Sequence, residues 1–150
     1  MKITPSKINS FMFFRMPLGW LSGMRVKKLK TNECLVIIKF RWLNQNPFKS
    51  MFWAAQGMAA EMSTGVLVMQ EIAETNKDVS MLVTNQQGSF LKKAVGKISF
   101  ICNSEGKIKE AIQNSMKTGE GQQIILTSEG VNEKGVIVSK FQFEWSLKVK

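Results

Sequence analysis

A long apolar run, residues 50–73, constrains the fold of this chain more than any other feature. Between Lys49 and Glu71 it contains one charged side chain, Glu61. The Asn-Pro pair at 46–47 is a helix-start signal, because asparagine can cap free amides and proline is tolerated in the first turn. The run therefore predicts one long helix, and the apolar residues on every side of it predict burial all round.

A transmembrane span is the rival interpretation, because about 20 apolar residues suffice to cross a bilayer. The polar side chains of Gln56, Ser63 and Thr64, together with Glu61, stand against it. The strand patterns elsewhere in the chain also stand against it, because they predict a sheet. We therefore expect the buried helix of a globular protein and no integral membrane span.

Alternating apolar and polar residues predict about five β-strands. The candidates are residues 33–42, 79–90, 95–103, 121–132 and 135–150. Residues 104–118 carry apolar side chains at helical spacing and predict a short amphipathic helix. One strand, a long helix and four antiparallel strands indicate an α+β protein with the hotdog fold, in which a curved antiparallel sheet wraps a central helix.

The composition fits a single domain over residues 1–150, since 44% of the residues are hydrophobic and 21% are charged. Cys34 and Cys102 lack a C-x-x-C spacing, so we expect two buried free thiols in a reducing compartment, the cytoplasm. The chain has no histidine, which excludes Ser-His-Asp and Cys-His catalysis and nearly every zinc site. No metal site and no cofactor are expected.

Residues 1–30 are interpreted as an N-terminal helix and a lead-in to the first strand. The apolar part of this segment, residues 11–24, is interrupted by Arg15 and Pro17 and is too short to span a bilayer. The proline predicts that the helix ends near Met16. An irregular segment is expected to follow and to pack on the domain, and contact with a membrane surface is the alternative.

The formal net charge of +10 would favour a polyanionic partner. The lysines, however, lie in separate groups that flank apolar segments: Lys27, Lys28 and Lys30, then Lys92, Lys93 and Lys97, then Lys148 and Lys150. No helix-turn-helix, zinc-finger or aromatic RNA-binding pattern accompanies them. We therefore expect no nucleic-acid binding, and a phosphate-bearing small ligand or solubility explains the charge equally well.

The stretch NPFKSMFWAAQGMAAEMSTG, residues 46–65, resembles the central-helix motif of a hotdog family of unknown function within the thioesterase superfamily. Members carry an asparagine before the helix, a Gly-Ser pair, a histidine, and an acidic residue followed four positions later by glycine. The matching residues here are Asn46, Ser50, Glu61 and Gly65. Lys49 stands at the usual glycine position, and Phe52 stands at the usual histidine position. The segments at 13–29 and 88–100 resemble the family's N-terminal helix and the strand-loop-strand that follows the central helix.

The resemblance implies acyl-thioester chemistry, with a coenzyme A thioester as the possible substrate. It also implies a homodimer, or a dimer of such dimers, whose active sites lie between protomers. Lys92 and Lys93 would then lie near the phosphates of coenzyme A. A solvated lysine pair without a ligand is the alternative.

Glu61 is the candidate general base or nucleophile. Desolvation on an apolar helix raises the pKa of a carboxyl group unless hydrogen bonds or a cation compensate. Free amides at the helix start, near residues 49–51, would stabilise the oxyanion with help from the helix dipole. Asn46 would position a water molecule or the thioester carbonyl, and a plain helix cap is its alternative role.

Small residues such as Gly57 share the helix face of Glu61 and leave room for a ligand. The expected substrate-binding residues are Ser50, Gln56, Gly57, Thr64, Lys92 and Lys93. Two alternatives stay open. Glu61 forms a buried ion pair with Lys93 or Arg41, or the protein is a non-catalytic module that binds an acyl chain or lipid in a methionine-rich lining.

Overall fold

The computed structural model describes residues 2–150, and within them lie four α-helices and six β-strands. In chain order these are α1 (Pro5–Arg15), α2 (Pro17–Leu21), β1 (Arg25–Leu29), β2 (Glu33–Lys39), α3 (Trp53–Thr75), β3 (Val79–Phe90), β4 (Lys97–Asn103), α4 (Lys107–Thr118), β5 (Gln122–Val131) and β6 (Ile137–Val149). The strands form one sheet in the order β1-β2-β4-β5-β6-β3, and every neighbouring pair is antiparallel. The expected α+β hotdog architecture is confirmed, with six strands instead of about five.

The additional strand is β1, which lies in the segment predicted to be a lead-in to the first strand. Its sequence, RVKKL, contains three basic residues in five and buries only Val26 fully, so it lacks the alternation of a half-buried strand. It forms because β2 offers a backbone partner, with Arg25 opposite Ile37 and Leu29 opposite Cys34. Pairing with a neighbouring strand outweighs local propensity at this edge of the sheet.

The central helix α3 begins at Trp53, later than the helix-start signal predicted. Phe52 precedes its first turn and provides no side-chain cap. Asn46 is therefore not the cap, and the chain between it and Phe52 is a loop. Burial is also not uniform around α3: one face is buried against the sheet, whereas Glu61 and Met69 are exposed.

Two buried polar contacts fix α3 on the sheet. Ser63 Oγ and Ser128 Oγ on β5 are 2.7 Å apart, and Trp145 Nε1 on β6 donates to Thr64 Oγ1 at 3.0 Å. The aliphatic and aromatic core closes around them, and its largest fully buried side chains include Phe100, Phe141, Leu67, Ile98 and Leu126. The rotation of α3 about its axis is thus set by polar pairs as well as by packing.

The N-terminal helix ends at Arg15, directly before Met16, as the proline predicted. The segment after it is not irregular, because Pro17 starts the short helix α2. α1 packs on the sheet, where the Asn9 side chain accepts from the backbone amide of Val26 and donates to its carbonyl, both at 2.9 Å.

Both cysteines are free and buried, as expected. Cys34 on β2 lies directly opposite Cys102 on β4 in the sheet. Burial raises the pKa of each thiol to about 12. Among residues 2–150, no helix is long and apolar enough to cross a membrane.

Candidate functional site

Two cavities contain most of the candidate residues. The first, here called the loop cavity, has a volume of about 470 Å³ and lies between the start of α3 and the segment after β3. It is lined by Asn46, Pro47, Phe48, Ser50, Met51, Phe52, Trp53, Gln56, Phe90, Leu91, Lys92, Lys93 and Ala94. Five of the sequence-predicted residues, Asn46, Ser50, Gln56, Lys92 and Lys93, are thus brought together.

The Asn46 side chain organises the loop that leads into α3. Its Oδ1 accepts from the backbone amides of Phe48 at 2.9 Å and Ser50 at 3.2 Å, and its Nδ2 donates to Ser50 Oγ at 3.0 Å. Lys49, inside this turn, has a φ of 59°. A left-handed backbone suits glycine, which is the residue that the resemblance places there.

The amides expected to stabilise an oxyanion are already bonded. The amides of Lys49, Ser50 and Met51 donate to Asn46 O, Asn46 Oδ1 and Ala94 O respectively. Because α3 starts at Trp53, the free backbone amides at the helix start are those of Trp53 and Ala54. These two amides have no acceptor within residues 2–150. These two amides lie at the positive end of the helix dipole, which favours a developing negative charge.

Gln56 lies behind this helix start and is only 4% exposed. Its Nε2 donates to Met51 O at 3.1 Å, whereas its Oε1 is buried and has no partner in the described part of the chain. A buried amide oxygen without a donor is costly, so this atom is suited to accept from a bound N–H or O–H group.

The two lysines of the loop cavity lie at its rim. Lys93 Nζ donates to the carbonyl of Phe48 at 3.1 Å, and Lys92 is exposed. Arg41 donates to the carbonyl of Leu21. Neither of the cations proposed to pair with Glu61 therefore does so, and the ion pairs within residues 2–150 join other residues. Within residues 2–150, Glu61 therefore has no ion-pair partner.

The second cavity, here called the helix cavity, has a volume of about 200 Å³ and contains Glu61. It is lined by Ile8, Phe11, Met16, Met58, Glu61, Met62, Gly65, Met69, Met81 and Trp145, of which five are methionines. Partial burial against this apolar lining raises the pKa of the Glu61 carboxyl. The site therefore favours a neutral carboxyl more than water does, and it suits a flexible apolar ligand.

The two cavities share no lining residue within one chain. The carboxylate of Glu61 and the amide of Asn46 thus lie in separate cavities. Two other candidates line neither cavity. Thr64 is buried and donates to the backbone carbonyl of Glu61 at 2.8 Å, and Gly57 lies beside the ring of Phe141.

Several lining residues were missed by the sequence analysis. The aromatic side chains of Phe52, Trp53 and Phe90 line the loop cavity, and Phe11 and Trp145 line the helix cavity. The available signal was the density of aromatic residues around 46–53, which looked like ordinary core. Among residues 2–150, no group of three or more cysteine, aspartate or glutamate side chains is arranged to hold a metal ion.

Comparison with protein families matches residues 5–147 to a domain of unknown function, DUF4442. The chain belongs to the DUF4442 family. Comparison with curated proteins finds no significant match. The fold of this DUF4442 protein is nevertheless shared widely, since 154 chains of solved structures match it significantly.

Three of these solved proteins illustrate the likeness. A probable thioesterase of unknown function from Pseudomonas aeruginosa is 18% identical, with a TM-score of 0.82 and coverage of 99% of both chains. A protein of unknown function from Chlorobaculum tepidum is 16% identical, with a TM-score of 0.83 and coverage of 99% of both chains. A thioesterase from Staphylococcus aureus, crystallised as a glutamine-to-alanine mutant, is 12% identical, with a TM-score of 0.70 and coverage of 88% of this chain and 98% of that one. At these identities the DUF4442 protein shares their fold.

Proposed function

We propose that this DUF4442 protein hydrolyses acyl thioesters, with acyl-coenzyme A as the substrate class and Glu61 as general base or nucleophile. The observation that carries the proposal is the environment of Glu61. Its carboxyl has a raised pKa, no cation partner within residues 2–150, and an adjoining apolar cavity of about 200 Å³. A partly desolvated carboxylate beside an apolar cavity is a candidate base with a place for an acyl chain.

Spacing along the chain supports the pairing of Asn46 with Glu61. The Staphylococcus aureus thioesterase has been crystallised as two alanine mutants, one of a glutamine and one of a glutamate that lie 15 residues apart. Asn46 and Glu61 are also 15 residues apart, and they carry the same two functional groups, a carboxamide and a carboxylate. This agreement favours one site built from both residues.

A homodimer would reconcile this pairing with two separate cavities. β3 is an edge strand of the sheet, so one side of its backbone is free to pair with a second copy. Met81 on β3 lines the helix cavity, next to the exposed face of α3. Antiparallel pairing of two β3 strands would therefore cover the helix cavity with the partner chain. Each site would combine Glu61 of one protomer with the loop cavity of its partner.

In such a site Glu61 removes a proton from water, and the hydroxide attacks the thioester carbonyl carbon. The amides of Trp53 and Ala54 stabilise the oxyanion. When the C–S bond breaks, the acyl group is released as a carboxylic acid. The thiolate takes the proton from Glu61, which gives free coenzyme A and restores the Glu61 carboxylate. If Glu61 is instead the nucleophile, the first product is a mixed anhydride that water then hydrolyses.

The loop cavity supplies groups for the coenzyme A portion. Lys92 and Lys93 lie at the rim, where their charges would attract phosphates. The unpartnered Oε1 of Gln56 would accept from an amide N–H of the pantetheine arm. The aromatic side chains of Phe52 and Trp53 would pack against its apolar carbons.

The test is hydrolysis of a panel of acyl-coenzyme A esters of increasing chain length, scored as release of free thiol. We expect Glu61→Gln to lower kcat by on the order of 100-fold or more, because a general base contributes about that factor. The matched control is Glu74→Gln, since Glu74 is an exposed carboxylate on the same helix and lines neither cavity. Equal activity of Glu61→Gln and the wild type on every substrate would show that Glu61 is neither the general base nor the nucleophile.

A second candidate function is non-catalytic binding of an acyl chain or lipid. It is favoured by Phe52 and Lys49, which replace the histidine and glycine that the resemblance implies. Native mass spectrometry of the purified protein tests it. A bound acyl species, together with no thiol release from any ester, would support this function, whereas a ligand-free protein that turns over acyl-coenzyme A would exclude it.

A further inference from the structure

An exposed apolar surface surrounds the junction of α1 and α2, outside both cavities. Its members, here called the N-terminal patch, are Phe13, Phe14, Leu18, Leu21, Trp42 and Leu43, which are between 51% and 80% exposed. Six large apolar side chains in one area exceed the isolated exposed residues that are normal on a protein surface.

Hydrogen bonds hold the two parts of the patch together. Arg41, which precedes Trp42, donates to the carbonyl of Leu21. The buried side chain of Asn44 donates to the carbonyl of Ser22 at 2.9 Å. The turn that carries Trp42 and Leu43 is thus fixed against the end of α2, so the patch is a preformed surface.

Every charged side chain in the first 32 residues, which carry most of the patch, is positive. Residues 1–32 contain seven lysines and arginines and no aspartate or glutamate. Arg15 is exposed between Phe14 and Met16, and Arg25 stacks on Trp20 with its guanidinium carbon 3.3 Å from the ring centroid. Arg41 lies beside Gly23 at the other side of the patch.

This charge distribution decides between possible occupants. A second copy of the chain would bring the same arginines face to face across a twofold axis, where like charges repel. An anionic bilayer matches both the apolar side chains and the positive charge of the patch. Its acyl region accepts phenylalanine and leucine, and its headgroups attract arginine. Tryptophan is also favoured at the boundary between the two regions.

We propose that the N-terminal patch binds the surface of anionic membranes. Phe14, Leu18 and Trp42 insert at the level of the headgroups, and Arg15, Arg25 and Arg41 contact lipid phosphates. Phe11 and Met16, which line the helix cavity, flank the patch. The inference does not depend on the hydrolytic activity.

Flotation of the full chain with lipid vesicles tests the proposal. We expect binding to phosphatidylcholine vesicles that contain phosphatidylglycerol to exceed binding to pure phosphatidylcholine vesicles by on the order of 100-fold, the effect of about three cations near an anionic surface. Binding should weaken as salt is added, because salt screens exposed charges.

Three variants make the test specific. Phe14→Ser combined with Leu18→Ser should lower the partition coefficient by at least about tenfold, the effect of removing one buried apolar side chain. Arg15→Glu should also lower the partition coefficient, and it removes no apolar surface. This variant therefore tests the proposal even if the double variant does not fold. Ile125→Ser, a change at an exposed apolar residue on β5, should leave it unchanged.

The proposal is overturned if the wild type does not float with anionic vesicles, or if the Phe14 and Leu18 double variant and Arg15→Glu both float as well as the wild type. It is also overturned if sedimentation shows that the double variant converts an oligomer into monomers, because a second copy would then cover the patch.

Discussion

At the scale of single residues, Lys49 stands at a position where the resemblance implies glycine. The turn organised by Asn46 requires a left-handed backbone at this position, and Lys49 adopts it with a φ of 59°. A side chain at such a φ costs about 1–2 kcal/mol, because Cβ approaches the following carbonyl oxygen. The resemblance implies glycine at this position. The sequence alone does not show that a left-handed backbone is what favours glycine there.

We therefore expect Lys49→Gly to raise the free energy of unfolding by about 0.5 kcal/mol, since relief of strain exceeds the extra chain entropy of glycine in the unfolded state. Urea unfolding measures it. As the control, Lys109→Gly at an exposed helical position in α4 should lower the free energy of unfolding by about 1 kcal/mol. Destabilisation by Lys49→Gly would contradict this account of the turn.

The titration of Glu61 should also make the free energy of unfolding depend on pH. Burial raises the pKa of its carboxyl in the folded state, so the folded state binds its proton more tightly than the unfolded state does. The free energy of unfolding should thus fall as pH rises from the ordinary glutamate pKa through the raised value.

Glu61→Gln removes this titration. Its stability relative to the wild type should therefore increase over the same pH interval. Urea unfolding of both proteins at a series of pH values measures the difference. A difference that is constant with pH would mean that the Glu61 carboxyl is not perturbed.

At the scale of secondary structure, the sequence predicted the elements better than their ends. The run at 50–73 is long enough to identify a helix, and alternation identified five of the strands. The start of α3 was misplaced because Asn46 bonds within its own loop instead of capping the helix. β1 was missed because a basic five-residue edge strand depends on β2 for its formation.

The contact between Ser63 and Ser128 was also beyond sequence reasoning, since it joins residues 65 positions apart. We expect Ser63→Ala to cost about 1–3 kcal/mol, because it leaves the buried Ser128 hydroxyl without this partner. Changing both serines to alanine should cost less than the two single changes summed. Thermal unfolding of the three variants gives the coupling, and strictly additive effects would mean that the contact does not help to fix α3 on the sheet.

At the scale of the whole molecule, the sequence identified residues of the candidate site but not their arrangement. Asn46, Ser50, Gln56, Lys92 and Lys93 line one cavity, and Glu61 lines another. A helical wheel placed Gly57 and Thr64 near Glu61, but the sheet packs against both residues. Which faces of α3 are covered depends on how the sheet curves around it, and periodicity carries no information about that.

The separation of the cavities makes the proposed site depend on a second chain, and this can be tested by mixing inactive variants. Asn46→Ala and Glu61→Gln would each lose acyl-coenzyme A hydrolysis as homodimers. In a mixed dimer, one of the two shared sites combines the intact Glu61 of one chain with the intact Asn46 of the other. The other site carries both changes.

The most direct measurement is therefore thiol release after the two variants are unfolded together and refolded in equal amounts. Half of randomly paired dimers are mixed and have one intact site of two, so the account predicts recovery of about a quarter of the wild-type rate. Each variant refolded alone is the control. An active wild type with no recovery in the mixture would contradict a site shared between protomers, and a wild type that hydrolyses no acyl-coenzyme A ester would contradict the proposed function.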